Sequence, residues 1–306
     1  LALENVPLGT PLTTSKPLLV GSRAILAITN SAVSAADSFD IAGGALILDS
    51  GSLTCAANCD LQSGSLTVNS GILNATLGTT GIRMGRLSGA NASFTINGGT
   101  VNTLRVTLGS VSGAQSSLTL AGGNLICNDS LSLAQIPATT GSVSMTAGNL
   151  FVTNGTTKIA DRATATFTQS GGNSAFADLS IGDLGVGTFD LSGGIMKVTP
   201  HTTNDLAIVG NQENGDLNQS GGLVVIRNEL HVSDFPGVLA NVNISGGQFF
   251  ATNDLVAIGR YGTGTLTVSN STVVLTNTSI GRHDTSDGTL TIQANGKVFL
   301  IADLSI

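Results

Sequence analysis

Hydrophobic and polar residues alternate by two along most of this chain, in short runs of three to six residues. Phe189-Asp190-Leu191, Leu266-Thr267-Val268 and Leu290-Thr291-Ile292 share one form. Val224-Val225-Ile226, Val273-Val274-Leu275 and Val298-Phe299-Leu300 share a second, and Leu179-Ser180-Ile181, Leu206-Ala207-Ile208, Leu230-His231-Val232 and Thr278-Ser279-Ile280 a third. A period of two is the mark of a strand, because successive side chains point to opposite faces. Glu, Lys and Gln are scarce, and no apolar stripe recurs at helical spacing.

The runs themselves repeat. A small-residue corner follows the first run at Gly43, Ser70, Gly98, Gly122, Ala147, Gly171, Gly193, Gly221, Gly246, Asn270 and Asn295. These marks lie about 25 residues apart, a spacing that belongs to solenoids and arrays. Three short strands in such a period make one turn of a parallel β-helix, each strand pairing with its equivalent about 4.8 Å further on. The prediction is an all-β, right-handed parallel β-helix of about eleven turns, the hand following from the crossover rule. Its inward positions include Leu118, Leu120, Phe189, Leu191, Leu206, Ile208, Val224, Ile226, Leu266, Val268, Leu290 and Ile292. A turn buries roughly six aliphatics at about 1.5–3 kcal/mol each, which ordering the backbone offsets. Turns are therefore stable only when stacked. A β-propeller blade needs four antiparallel strands in about 40 residues, so the period is too short for it.

The ends depart from the pattern. Residues 1–17, with Pro7, Pro11 and Pro17, read as an N-terminal arm or cap, and residues 18–306 as the solenoid. The chain begins at Leu1 rather than Met, as expected of a processed or trimmed product, which leaves room for a removed export signal. At the other end "GKVFLIADLSI" stops at Ile306, inside a third run. Two expectations follow: the native chain continues, or its open turn stacks head to tail on another copy. Stacking of that kind does not close and gives a filament.

Composition narrows the function. Aromatics are 4% of 306 residues, charged residues 10%, and Gly numbers 40. Such a chain fills its interior with small and β-branched side chains, which stacked strands accommodate. A net charge of −7 and a pI of about 4.7 argue against nucleic acid and anionic membranes as partners. The longest apolar stretch, residues 18–28, is broken by Gly21, Ser22 and Arg23, so membrane insertion by a helix is not expected. Cys55 and Cys59 lie four apart and Cys127 stands alone. Either the first two form a disulfide across their corner or all three are small buried hydrophobes.

At "GTGTLTVSNSTVVLTNTSIGR" and "GTFDLSGGIMKV" the sequence resembles the β-strand repeats of autotransporter passengers and related exported bacterial surface proteins, rich in "GTLTVSGG…LxIG". The resemblance covers roughly residues 38–306 and rests on structural positions. It implies an extracellular or cell-surface location and a role in adhesion, matrix or filament formation, with partners that are other copies or surface polysaccharide.

Candidate chemistry is sparse. Asp178, Asp205, Glu229, Asp254 and Asp303 recur just before the third run, with Asn277 taking one turn. Stacked in register, such a row would attract a cation such as calcium. The alternative is that each caps its own corner through its backbone. Arg86, Arg260 and Arg282 recur just past the third run, and with Tyr261 and His283 could bind carboxylated sugars. Solvated corner residues are the plainer reading. Lys197, His201 and Asp205 lie close in sequence, with His231 pointing outward one turn on. A groove joining Lys197, His201 and His231 would make a polysaccharide lyase, which abstracts a proton beside a uronic carboxylate. "GDLGVG" and "GRYGTG" look like phosphate loops, yet neither opens a helix. Eight Asn-x-Ser/Thr triplets, at Asn74, Asn91, Asn128, Asn154, Asn218, Asn243, Asn270 and Asn277, follow from a Ser/Thr/Asn-rich composition. The favoured expectation is a non-catalytic structural or adhesive protein with no cofactor unless the acidic row binds calcium, and the alternative is a β-helix lyase or hydrolase acting on acidic polysaccharide.

Overall fold

The computed structural model describes residues 2–4, 12–14, 17–202 and 205–306. The chain divides into two compact units, Leu1–Thr153 and Asn154–Ile306. Each unit is a parallel β-solenoid. Together they make about twelve turns of about 24 residues, with no helix among the described residues.

Every turn contributes to three files of strands. In the second unit the first file is Ala165–Gln169, Gly187–Leu191, Gly215–Gln219, Leu239–Ile244, Thr263–Val268 and Asp287–Ile292, each parallel to the next. The second file runs from Asn173–Ile181 through Ile195–Val198, Leu223–Ile226, Gln248–Ala251 and Thr272–Leu275 to Lys297–Leu300. The third continues from Asn173–Ile181 through Ala207–Val209, Leu230–Val232, Val256–Ile258 and Thr278–Ile280 to Leu304–Ser305.

The first unit repeats the plan with longer strands. Phe39–Leu48 and Cys59–Val68 each cover two files, bending where their register shifts around Ala42. Thr100–Thr107 and Asn124–Ser132 bend likewise past Thr103. The early segments Ala2–Glu4 and Leu12–Thr14 also pair in parallel, with Ile25–Thr29 and Ser31–Ala35. Pro7 and Pro11 of the expected cap lie outside the described residues.

Inward side chains are the expected aliphatics. Leu118, Leu120, Phe189, Leu191, Val224, Ile226, Leu266 and Val268 are all buried. Two assignments need correction. Leu179 pairs with Ala207, not Leu206, and Ala207 with Leu230. Ala207 and Val209 therefore face inward, whereas Leu206 and Ile208 are half-exposed. The run "LAIV" holds apolar residues at both phases, and only its neighbours fix which phase is used. Leu290 and Ile292 keep the inward phase, but no described turn covers them, and Ile292 is 52% exposed.

Polar files run on the outside. Ser65, Ser93, Ser117 and Ser142 align, as do Thr67, Thr95, Thr119 and Ser144. Asparagines bond in ladders, Asn97 to Asn69 (2.8 Å) and Asn69 to Asp49 (2.6 Å) in the first unit. Asn243 bonds to Asn218 and Asn218 to Asp190 (both 2.9 Å) in the second. An amide can donate to the turn before and accept from the turn after, which makes it suited to an endless parallel stack.

Two features set local stability. Phe167 and Phe189, aligned in the first file, stack at 4.6 Å and 10°, and Phe176 meets Phe189 edge-on at 6.4 Å. The third file ends in a left-handed corner occupied by Gly182, Gly210, Ser233, Gly259 and Gly281, with φ between 64° and 77°. The recurrent Ile-Gly of the sequence is this corner, a conformation that suits a residue without Cβ. At Gly259 a Cβ would also stand 2.2 Å from the Asp287 carbonyl oxygen.

Replacing Phe189 by Ala should cost about 3–5 kcal/mol, read as a lower denaturant midpoint. A loss under about 1 kcal/mol would contradict the stacked core. Gly259→Ala should destabilise by more than about 1 kcal/mol through backbone strain and the carbonyl clash. An unchanged melting temperature would refute the corner assignment.

Candidate functional site

The expected acidic row does not stack. Because Leu179 aligns with Ala207 and Val232 with Ile258, the residue beneath Asp178 is Leu206 and the one beyond Glu229 is Leu255. Asp205 and Asp254 each fall one residue early. Each carboxylate instead serves its own neighbourhood. Asp205 accepts from the amides of His201 and Thr202 (both 2.6 Å), Asp254 from the amide of Leu255 (2.8 Å), and Asp178 from Thr156 Oγ1 (2.9 Å). Burial pushes the Asp178 carboxyl above the usual carboxylate range. Slight burial also opposes ionisation of Asp205, but its bonds from Thr202 and His201 outweigh that and hold it below the range. Among the described residues no three His, Cys, Asp or Glu side chains converge as a metal site.

His231 is the centre of a buried polar network in which Arg260 Nε is left without a hydrogen-bond partner. It occupies the outward phase between Leu230 and Val232, yet is 1% exposed. Its Nε2 lies 2.6 Å from Glu229 Oε2, and its Nδ1 3.1 Å from Asp234 Oδ1. Arg260 Nη1 reaches the same Asp234 oxygen at 2.7 Å, and the guanidinium lies 5.0 Å from the Tyr261 ring. Tyr261 stacks on His283 at 4.1 Å. Burial raises the Asp234 carboxyl, but bonds from His231 and Arg260 dominate and hold it below the ordinary value.

This bears on two expectations. Arg260, cast as a partner for sugar carboxylates, is engaged by Asp234, and Tyr261 presents ring surface to His283 and Arg260. Lys197 projects from Ile195–Val198 into solvent, and His201 lies exposed in a corner. No hydrogen bond or ion pair joins Lys197, His201 and His231 among the described residues. Arg86, in the first unit, stands 3.6 Å from Asp60, and Arg282 is exposed.

Two features of the first unit escaped the sequence reading. Asp40, Asp60 and Arg83 align in successive turns. Arg83 grips Asp60 with Nε at 2.6 Å and Nη2 at 2.5 Å. Burial, then the adjacent Asp60 charge, raises the Asp40 carboxyl above its usual range. The signal was present as "FDI", "CDL" and "IRM", three short runs with apolar residues on either side of a charged one that changes sign in the third. The second feature is an open groove of about 720 Å³. Its lining includes Arg23, Ser65, Asn91, Ser93, Gln115 and Ser117, so apart from one arginine these groups are uncharged. It crosses the strands, following the serine file past the Gly43–Gly44 bend.

These features define a β-solenoid repeat protein in which the carboxylates of Asp60, Asp183 and Asp234 are paired with cations and whose first-unit groove is hydroxyl-rich with a single arginine. Comparison with known families, with curated proteins and with solved structures finds no match.

Asp40→Asn should stabilise the first unit by a few tenths of a kcal/mol at pH 7, because the wild-type carboxylate ionises against burial and Asp60. A raised folded pKa penalises the fold above that pKa. The advantage should therefore shrink as pH falls through it and vanish below the unfolded value of 3.8. A difference in denaturation midpoint that grows on acidification would contradict the arrangement.

Proposed function

We propose that this chain is an exported, non-catalytic β-solenoid with a structural or adhesive role at a bacterial cell surface. The observation that supports this best is the outer surface. Its files of Ser, Thr and Asn repeat at the strand spacing, and its buried charges are matched internally rather than aimed at a reacting centre. A surface that repeats every turn suits contact with something that also repeats, such as an extended polysaccharide or another copy of the chain. The groove along the serine file offers hydroxyl and amide partners to a neutral glycan, and Arg23 one anchor for an acidic substituent. The resemblance to exported surface repeats points the same way. Self-association by stacking of turns belongs to the proposal as well. Ile292, Leu300 and Leu304 in the last turn hold inward positions yet are 52%, 36% and 46% exposed, and a further stacked turn would cover them.

The test has two arms. Retention on insoluble neutral polysaccharide, weakened about tenfold by Ser93→Lys with Ser117→Lys, together with regular assemblies in electron micrographs, is the expected result. Incubation with uronate polymers should produce no rise in the absorbance of unsaturated product. Turnover that disappears in His231→Ala or Lys197→Ala would replace this reading with the lyase. Neither retention nor assembly would remove its support.

A further inference from the structure

Cys55 closes the strand Gly51–Cys55, and Cys59 opens the strand Cys59–Val68, with only Ala56, Ala57 and Asn58 between them. Both side chains point into the interior of the first unit, and neither is exposed at all. Their backbones are fixed by the stack, Cys55 beside Ala35 and Cys59 between Phe39 and Ile82. Both thiols are free in this structure, and within that frame Cys55 lies close enough to raise the Cys59 pKa. Cys127, equally buried, lies beside Thr103, and no second thiol bonds to it among the described residues.

We propose that Cys55 and Cys59 form a disulfide across this corner when the chain folds under oxidising conditions, leaving Cys127 as a free thiol. A disulfide requires an S–S distance of about 2.05 Å with Cβ atoms about 3.8 Å apart. Two cysteines that face the same interior across a three-residue corner can meet that geometry through a local movement of the corner. Each thiol gives up its proton, the S–S bond forms, and the electron pair passes to a small disulfide of the glutathione type, which leaves as two thiols. The attacking species is a thiolate. In the closed fold, Cys55 and then burial hold the Cys59 thiol protonated, so the bond forms during folding, once the corner has brought the cysteines together and before neighbouring turns seal it. The bridge then locks the passage from one file to the next in that turn. A chain carrying it belongs in an oxidising compartment, an argument independent of any adhesive role.

The experiment uses the full chain, unfolded with reductant and then refolded in a mixture of reduced and oxidised glutathione. Remaining thiols are capped with iodoacetamide in denaturant, and the product is read by intact mass and peptide mapping. The expected result is a single cap, on Cys127, and a linked Cys55–Cys59 peptide. Reducing the bridged protein should lower its thermal midpoint by a few degrees. Three caps on refolded protein, or any bridge that includes Cys127, would overturn the proposal. Cys127→Ser, refolded in parallel, should keep the linked peptide and carry no cap, while three-cap wild-type protein would be decisive even if that variant failed to fold.

Discussion

Parallel in-register pairing of each turn with the next is the constraint on which everything else depends. Backbone hydrogen bonds along the stack place every residue directly over its counterpart, so whatever one turn presents its neighbours must tolerate at strand spacing. Aliphatic residues and small hydroxyls tolerate themselves, and asparagine bonds to its own kind. Charges do not. Where Asp40 sits beside Asp60, the strain is visible in a carboxyl raised by burial and then by its neighbour, and relieved in part by Ser38, Arg83 and Arg86. The low charge of the chain follows from the geometry: a face built of copies has few places where a lone ion can stand.

The same constraint explains what could be read from the residues alone. The three runs per turn and the glycine corners were legible because alternation and period are local properties that survive small changes in length. Register was not local. In "NDLAIV" an apolar residue stands at both phases, so alternation alone points as readily to Leu206 and Ile208, whereas pairing to Leu179 and Leu230 selects Ala207 and Val209. That one-residue slip also assembled an acidic row from Asp178, Asp205, Glu229 and Asp254 that the stack does not contain. Conversely, Asp40, Asp60 and Arg83 form a genuine column that composition gave no reason to single out. The His231 network lay beyond reach for another reason. It joins residues of adjacent turns through corners, whose paths are set by neither period nor alternation.

The two kinds of outer surface differ in what they can do. Around His231, Asp234 and Arg260 the donors and acceptors largely satisfy one another, which fits a clasp between adjacent turns. Along the serine and threonine files hydroxyls recur without charge, and an external chain of similar periodicity can engage many weak contacts at once. Each contact is small, and repetition supplies the sum.

The corners carry a consequence for how such a molecule changes over generations. The segment between Ile195–Val198 and Ala207–Val209 runs longer than the matching one between Leu223–Ile226 and Leu230–Val232, yet the strands on either side stay aligned. Added length is absorbed in the bend and never reaches the files. An inserted residue inside a strand would instead turn a whole file inside out. Heredity can therefore edit this protein in two currencies only, the length of a bend and the number of whole turns, and lineages of such chains should differ in reach and ornament far more than in cross-section.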